Sequence, residues 1–397
     1  MNNLAKIVTP RMWAFALTWV LLCFTVFMAY YEQYNVISLY VFYPLMTVIA
    51  FIQKPKIFPN NYFKWLIILY IWVSFTTVGA YDTDVALREL HQILGCILAT
   101  YIFAQWAQYH KAIPWLYAVF IVLFIGAVHY ARTSILEGNY DLIGKERVSD
   151  DLLNANTIAY FTFYLTFVIF ILGDIIHTPL LRTLFRAGYF LTFPIIYWIA
   201  MATASVQVGA IIAPFSVVLL FFRYWGTKEE HKPWLRFLLV LSLIAVVYKL
   251  APILMTEIMD SRLGARLDTG GTSANRLQLV QESFSVGLHH PLIGVGPGNF
   301  RLFSYEQVFS HNTYLELFAN TGFIGMLIFI GLTFSFCWTQ WKRWREKRQL
   351  IYFIFLVFGI FFIGYQFFYV FYADLRLMAF WMLVVTHSET YYSHDHT

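Results

Sequence analysis

Apolar runs of bilayer length recur along the whole 397-residue chain, and no other feature restricts its fold as much. With a window near 19 residues they fall at about 12–30, 36–52, 63–80, 90–106, 113–130, 156–173, 187–203, 207–222, 235–255, 313–338, 350–366 and 373–387. A hydrocarbon core about 30 Å thick takes roughly 20 residues of helix to cross. Backbone in lipid must satisfy its own hydrogen bonds, which leaves helices or closed barrels, and these runs are too long for barrel strands. Composition agrees: 60% of residues are hydrophobic and 12% charged, against about 25% charged in a soluble domain. The chain therefore reads as all-α, a polytopic membrane helical bundle of about 12 transmembrane helices. It forms one membrane domain over 1–397, with a large outward loop at 256–312 between the ninth and tenth helices. Ser205 to Gly209 would have to serve as a tight turn within 187–222, and the last two runs are also open to merging into one broken helix.

The distribution of charge gives an independent test of this order. With the N-terminus inside, 17 of the 27 Lys and Arg fall on the inner side, among them Lys54, Lys56, Arg182, Arg186 and the cluster Lys342, Arg343, Arg345, Lys347 and Arg348. Only 6 of the 22 acidic residues do. This is the positive-inside pattern, with both termini cytoplasmic. The net charge of +5 is thus topological. No basic run interleaved with exposed aromatics points to nucleic acid. The short polar start with Lys6 and Arg11, followed by an apolar run without a small-residue cleavage site, reads as an uncleaved first helix. Cys23, Cys96 and Cys337 all lie in apolar runs without CxxC spacing, the pattern of buried thiols rather than of disulfides or zinc ligands.

One segment breaks the apolar pattern. From Arg262 to Gly325 the chain concentrates His, Arg, Asn, Gly and Pro between two spans, so chemistry is expected there, at a membrane face. Within it Leu277, Val280, Phe284 and Leu288 recur at helical spacing after the possible caps Thr272 and Ser273. That predicts an amphipathic helix on the membrane surface with Arg276 in its first turns. A sharp turn follows from Gly287 to Gly298, where glycines supply conformations barred to other residues. His311 and Asn312 close the loop where the tenth span starts, a helix N-terminus expected to offer positive potential and free N–H donors. GVGPGNF lacks the Lys-Ser/Thr of a P-loop, and no Asp-x-Asp nucleotide-sugar motif stands out, so neither a cofactor nor a bound metal is expected. Arg88, Glu89 and His91, at an outer helix end, read as interfacial residues.

Arg276, HPLIGVGPGNF at 290–300 and HNTYLELFANTGFIG at 311–325 together resemble the signature region of the O-antigen ligase and polymerase superfamily, bacterial membrane glycosyltransferases acting on lipid-linked saccharides. Asn156 and Ala159 in NANTIA, and the order of helices around one large outward loop, extend the resemblance. It implies an enzyme of the bacterial inner membrane with a periplasmic catalytic loop. Its donor would be a glycan on a polyprenyl diphosphate such as undecaprenyl diphosphate, and its acceptor a hydroxyl of lipid A-core or of a growing glycan. Members commonly carry a Ser-Arg-Gly-like element at an outer turn between two central helices; the corresponding stretch here is ATASVQVGA, with Gln207 and no arginine. Arg147, Arg262, Arg266 and Lys249 are the candidate cations to take its place at the donor diphosphate. Lys249 lies in the outer part of the ninth run, and an ionisable residue at such a depth is a functional candidate by default.

Glycan transfer from a diphosphate to an alcohol needs a base for the hydroxyl and cations for the departing diphosphate. His311 and Arg276 are the expected catalytic pair: histidine titrates near neutrality, and arginine presents a fixed fork of donors to phosphate oxygens. Arg262, Arg266, Arg147, Lys249 and Asn312 are the expected substrate-binding residues. A histidine at a helix start is ordinarily a cap or an interfacial residue, and the motif around His311 sets it apart from that ordinary case. A ligase and a repeat-unit polymerase share this chemistry, the compact single outward loop favouring the ligase. A transporter or flippase would spread paired charges along several helices in two matching halves. The charge split predicts that reporters fused after Lys145 or Phe300 report the periplasm and those after Lys228 or Arg345 the cytoplasm. A cytoplasmic signal after Phe300 would place the polar block on the wrong face.

Overall fold

In the computed structural model, residues 9–136, 155–203, 212–225 and 271–394 are described, and helix is their only regular structure. The apolar runs fold as α1 (Pro10–Phe27), α2 (Glu32–Ile37) running through a π turn into α3 (Tyr43–Gln53), α4 (Asn61–Thr76), α5 (Thr83–Trp106), α6 (Ile113–Leu136), α7 (Ala155–Ile175), α8 (Pro179–Thr203) and α9 (Ala213–Trp225). The polar block contributes α10 (Gly271–His289), and the chain closes with α11 (Thr313–Lys347), α12 (Leu350–Tyr365) and α13 (Leu375–His394). Among the described residues six segments are long and apolar enough to cross a membrane: α1, Tyr34–Gln53, Asn61–Gly79, α5, His110–Tyr130 and α11. Phe161–Ile175 and α12 are shorter apolar helices. The expected span at 235–255 and the turn at Ser205 to Gly209 lie outside the described residues.

The chain gathers into two units, one of Met1–Gly126, Asn275–Gln340 and Phe358–Thr397, the other of Ala127–Ala274 and Trp341–Val357. In the first, α5 and α13 pack along their lengths. Small buried positions on α5, namely Gly95, Cys96, Ala99 and Ala104, let the backbones approach, as in membrane helix pairs. Polar side chains fasten α13 to its neighbours inside this core. Asn60 Nδ2 donates to Thr386 Oγ1 at 2.8 Å, Thr390 Oγ1 donates to the Ala107 carbonyl at 3.0 Å, and Tyr117 Oη meets His387 Nδ1 at 3.0 Å. In the second unit α7 packs on α8, where Arg186 Nε donates to the Gly173 carbonyl at 3.0 Å, and Tyr189 Oη ties α8 to α9 through the Ser216 carbonyl at 2.7 Å. All three cysteines are free thiols.

The last two runs do not merge. Residues 366–374 separate α12 from α13, and this connection grips the start of α11. Thr313 N–H donates to the Gln366 carbonyl at 2.8 Å and its hydroxyl to the Tyr369 carbonyl at 2.6 Å, while Phe371 N–H donates to that hydroxyl at 2.9 Å.

Helix α11 is itself broken at Gly322, whose φ of 72° and ψ of −175° no helix contains. The break frees backbone groups that must find partners away from water. The loop after α10 supplies them: Val295 N–H donates to the Ala319 carbonyl and Gly296 N–H to the Asn320 carbonyl, both at 2.9 Å, while Phe323 N–H turns to the Pro291 carbonyl at 2.8 Å. Trp72 Nε1 takes the Thr321 carbonyl at 2.9 Å. The approach is so close that a Cβ on Gly322 would overlap the Leu292 carbonyl, and one on Gly294 (φ 66°) would overlap the Ala319–Asn320 peptide.

Gly322→Ala is expected to lower thermal stability sharply, since it adds about 1–3 kcal/mol of strain, at a positive φ and extended ψ that essentially only glycine adopts, to a clash with backbone. Gly331→Ala, on the same helix with nothing within 4 Å of the new methyl, should leave it level or slightly raised. Melting followed by fluorescence size exclusion reads the contrast, and equal behaviour of the two variants would contradict it.

Candidate active site

The sequence motifs come together around the first nine residues of α11, all within the first unit. Asn312 caps the helix: its Oδ1 accepts from Tyr314 N–H at 3.0 Å and Leu315 N–H at 3.1 Å, and its carbonyl accepts from Glu316 N–H at 2.9 Å. With Thr313 N–H committed to Gln366, the first amides of the helix are all taken. The expectation of free N–H donors beside His311 is therefore corrected, because the cap and the 366–371 connection consume them.

Residues 312, 316 and 320 share one helical face, and the two beyond the cap form a buried polar core. Glu316 Oε2 accepts Ser310 N–H at 2.7 Å, and Asn320 Nδ2 donates to Glu316 Oε1 at 3.0 Å and to Tyr372 Oη at 3.3 Å. Asn320 Oδ1 accepts Phe300 N–H at 2.8 Å, closing the circuit back to the GVGPGNF loop. The other side of that loop is held by Asn299, whose carboxamide pairs with the Asp82 backbone in both directions, at 2.7 and 3.1 Å. Tyr81 N–H donates to the Val295 carbonyl at 3.0 Å. The loop is thus fixed between the α4–α5 connection and the break in α11.

His311 emerges from this frame half-buried, with a backbone φ of 56°. A non-glycine residue in the left-handed region is uncommon, histidine being among the types that tolerate it, and such conformations persist where surroundings over-determine them. Here both neighbours are pinned, Ser310 by Glu316 and Asn312 by its cap. Arg276, also half-buried, stands near the start of α10. That helix packs on α11 through Gly287, against the Phe318 ring, and its Glu282 Oε2 accepts Tyr305 N–H at 3.1 Å. It begins at Gly271, so Thr272 and Ser273 lie inside its first turn rather than before it. Its packed face is Leu279, Ser283 and Gly287, while Leu277, Phe284 and Leu288 of the predicted apolar stripe are half or more exposed. A stripe this exposed, although its Phe284 ring still meets the Phe318 ring at 6.1 Å, suits a helix lying in a lipid interface.

Arg147, Lys249, Arg262, Arg266 and Gln207 lie outside the described residues. Glu89 is corrected: it is 3% exposed rather than interfacial, with its Oε2 3.6 Å from Arg301 Nη2, whereas Arg88 and His91 are exposed as expected. Arg301 is further held by its Nε donating to the Gly298 carbonyl at 3.2 Å and by the Phe309 ring, 4.6 Å below its guanidinium. Sequence reasoning passed over Arg301, Glu316 and Asn320. The four-residue spacing of Asn312, Glu316 and Asn320 was a usable signal for the last two; the Glu89–Arg301 pair joins segments distant in the chain and left none. Among the described residues no three His, Cys, Asp or Glu side chains gather to hold a metal.

Apolar helices of spanning length around a polar, loop-built site define a multi-pass membrane protein. Residues 190–330 match the model of the O-antigen ligase family, whose members are membrane enzymes of glycosyltransferase type, and this supports the O-antigen ligase superfamily for the chain. The matched stretch includes Arg276, His311 and Asn312, and also Lys249, Arg262 and Arg266; Arg147 and Glu89 precede it. No curated protein matches the chain.

Asn320→Leu would strand a buried amide, a buried carboxylate oxygen and a tyrosine hydroxyl, each costing about 1–3 kcal/mol. The variant is expected to lose most of its folded yield in detergent, while Gln278→Ala on the exposed face of α10 keeps it. A monodisperse, heat-stable Asn320→Leu protein would show that the network does not hold the loop.

Proposed function

We propose that the protein transfers a glycan from a polyprenyl-diphosphate carrier to an acceptor hydroxyl of lipid A-core type at the periplasmic face of the inner membrane, as a ligase. The observation that carries this reading is the O-antigen ligase match, because it takes in both Arg276 and His311. In the proposed step His311 accepts the proton of the acceptor hydroxyl as its oxygen bonds to the anomeric carbon. The bond from that carbon to the carrier phosphate breaks with its electron pair going to the diphosphate, whose charge Arg276 meets with its two-pronged donor set. Attack from the face opposite the leaving group inverts the anomeric centre. The geometry around His311 favours this role over a capping one, since the cap is already supplied by Asn312. Arg147, Arg262, Arg266 and Lys249 are retained as proposed donor-binding cations in place of the arginine missing at Gln207.

The left-handed backbone at residue 311 makes His311→Asn an informative replacement. Asparagine is at home at that φ and keeps polar contact, yet it takes no proton near neutral pH. Transfer from a purified polyprenyl-diphosphate donor should fall by about 10²–10⁴-fold in His311→Asn, the contribution of a general base, with an unchanged size-exclusion profile. Arg276→Lys should fail likewise, keeping charge but losing the fork. Near-normal turnover by His311→Asn would remove the histidine from the reaction.

A further inference from the structure

Beside the His311 loop the first unit holds a cavity of about 290 Å³, lined by Val85, Arg88, Glu89 and Gln92 from α5 and by Arg301, Leu302 and Gln307 from the loop. This is near the lower end of ligand pockets, roughly 300–1,000 Å³, room for a sugar unit rather than a long chain. Its chemistry is mixed in a specific way. The Glu89 carboxylate only accepts hydrogen bonds, the two guanidiniums only donate, and the two carboxamides do both. An anion such as phosphate would use the guanidiniums but face the Glu89 carboxylate, which is almost wholly withdrawn from solvent. A cation would meet two arginines. A neutral polyhydroxyl compound suits all five, because each hydroxyl donates and accepts, and Val85 and Leu302 offer an apolar surface to the C–H face of a sugar ring.

The polar wall is also pre-organised. Arg301 is held by Glu89, the Gly298 carbonyl and the Phe309 ring before any ligand arrives, so little side-chain freedom is lost on binding. Glu89 and Arg88 are fixed on the second turn of α5, whose start Asp82 caps through Asp84 and Val85 N–H.

We propose that this cavity is a saccharide subsite, built from Arg88, Glu89, Gln92, Arg301 and Gln307, that holds a sugar of one of the two substrates beside the reacting loop. The choice of ligand class rests on the glycan-transfer reading, so the test reads binding without turnover. Full-length protein in nanodiscs is mixed with free neutral disaccharides built from hexose, deoxyhexose and N-acetylhexosamine units, and saturation-transfer NMR is recorded. Sugar protons should receive saturation from the wild type. Arg88→Ala/Gln92→Ala, two exposed positions on α5, should bind about tenfold more weakly, as expected for lost hydrogen bonds from a charged and a neutral group. His311→Asn should bind like the wild type, and inorganic pyrophosphate should not displace the sugar.

Absence of saturation transfer to every disaccharide, equal binding by the double variant, or displacement by pyrophosphate would each overturn the subsite. Failure of the transfer reading looks different: no product from any carrier-linked donor, with Arg88-dependent sugar binding intact. Where transfer is measured, a raised KM for the acceptor alone assigns the subsite to the acceptor, and for the donor alone to the carrier-linked glycan.

Discussion

The break in α11 at Gly322 is the constraint from which the rest of the site follows. In a low-dielectric core a helix cannot be interrupted unless the carbonyls and amides it releases are taken up by other groups. Here they are taken up by the backbone of residues 291–296 and by Trp72. The exchange is mutual: the loop gains a partner for its own polar backbone, which lets an irregular segment lie buried from Gly294 to Phe300. The need for left-handed glycines at 294 and 322 has the same origin, since the two backbones approach too closely for any side chain between them.

From that junction polar side chains carry rigidity outward. Asn320 and Glu316 link the loop at Phe300 to the residue before His311, and Thr313 links the helix start to the connection after α12. Buried carboxylates are costly unless compensated, and removing one partner of such a set is far more damaging than the set is stabilising. Glu316 is compensated by two N–H donors and Glu89 by the Arg301 guanidinium. For the proposed transfer, a base misplaced by as little as 1 Å would cost about 10²-fold in rate. The conformation of His311, bracketed by two pinned neighbours, fits that requirement.

The proposed roles divide along the same lines. His311 and Arg276 would act on the bond that is made and broken, while Arg88, Glu89, Gln92, Arg301 and Gln307 would hold a sugar that takes no part in it. On that proposal, separating a reacting loop from an adjoining binding cavity would let remote binding energy position the reacting atoms.

How much of this was legible in the residues follows from the range of the forces involved. Bilayer-length apolar runs and helical spacing are local, and they gave the all-α membrane class, the helix through Arg276 and the helix start after Asn312 directly. The HPLIGVGPGNF and HNTYLELFANTGFIG motifs are local too, and the superfamily they resemble is supported by the match over 190–330. What only the tertiary structure decided depends on groups brought together from distant parts of the chain. Gly322 reads in sequence as one more glycine in an apolar helix, and only the arrival of the 291–296 backbone turns it into a break. Glu89 reads as an interfacial charge until Arg301 and the loop cover it. The amides at the start of α11 read as free donors until Asn312 and Gln366 occupy them. Hydrogen-bond satisfaction in a buried environment is a property of the whole set of neighbours, and a linear pattern does not encode who those neighbours are.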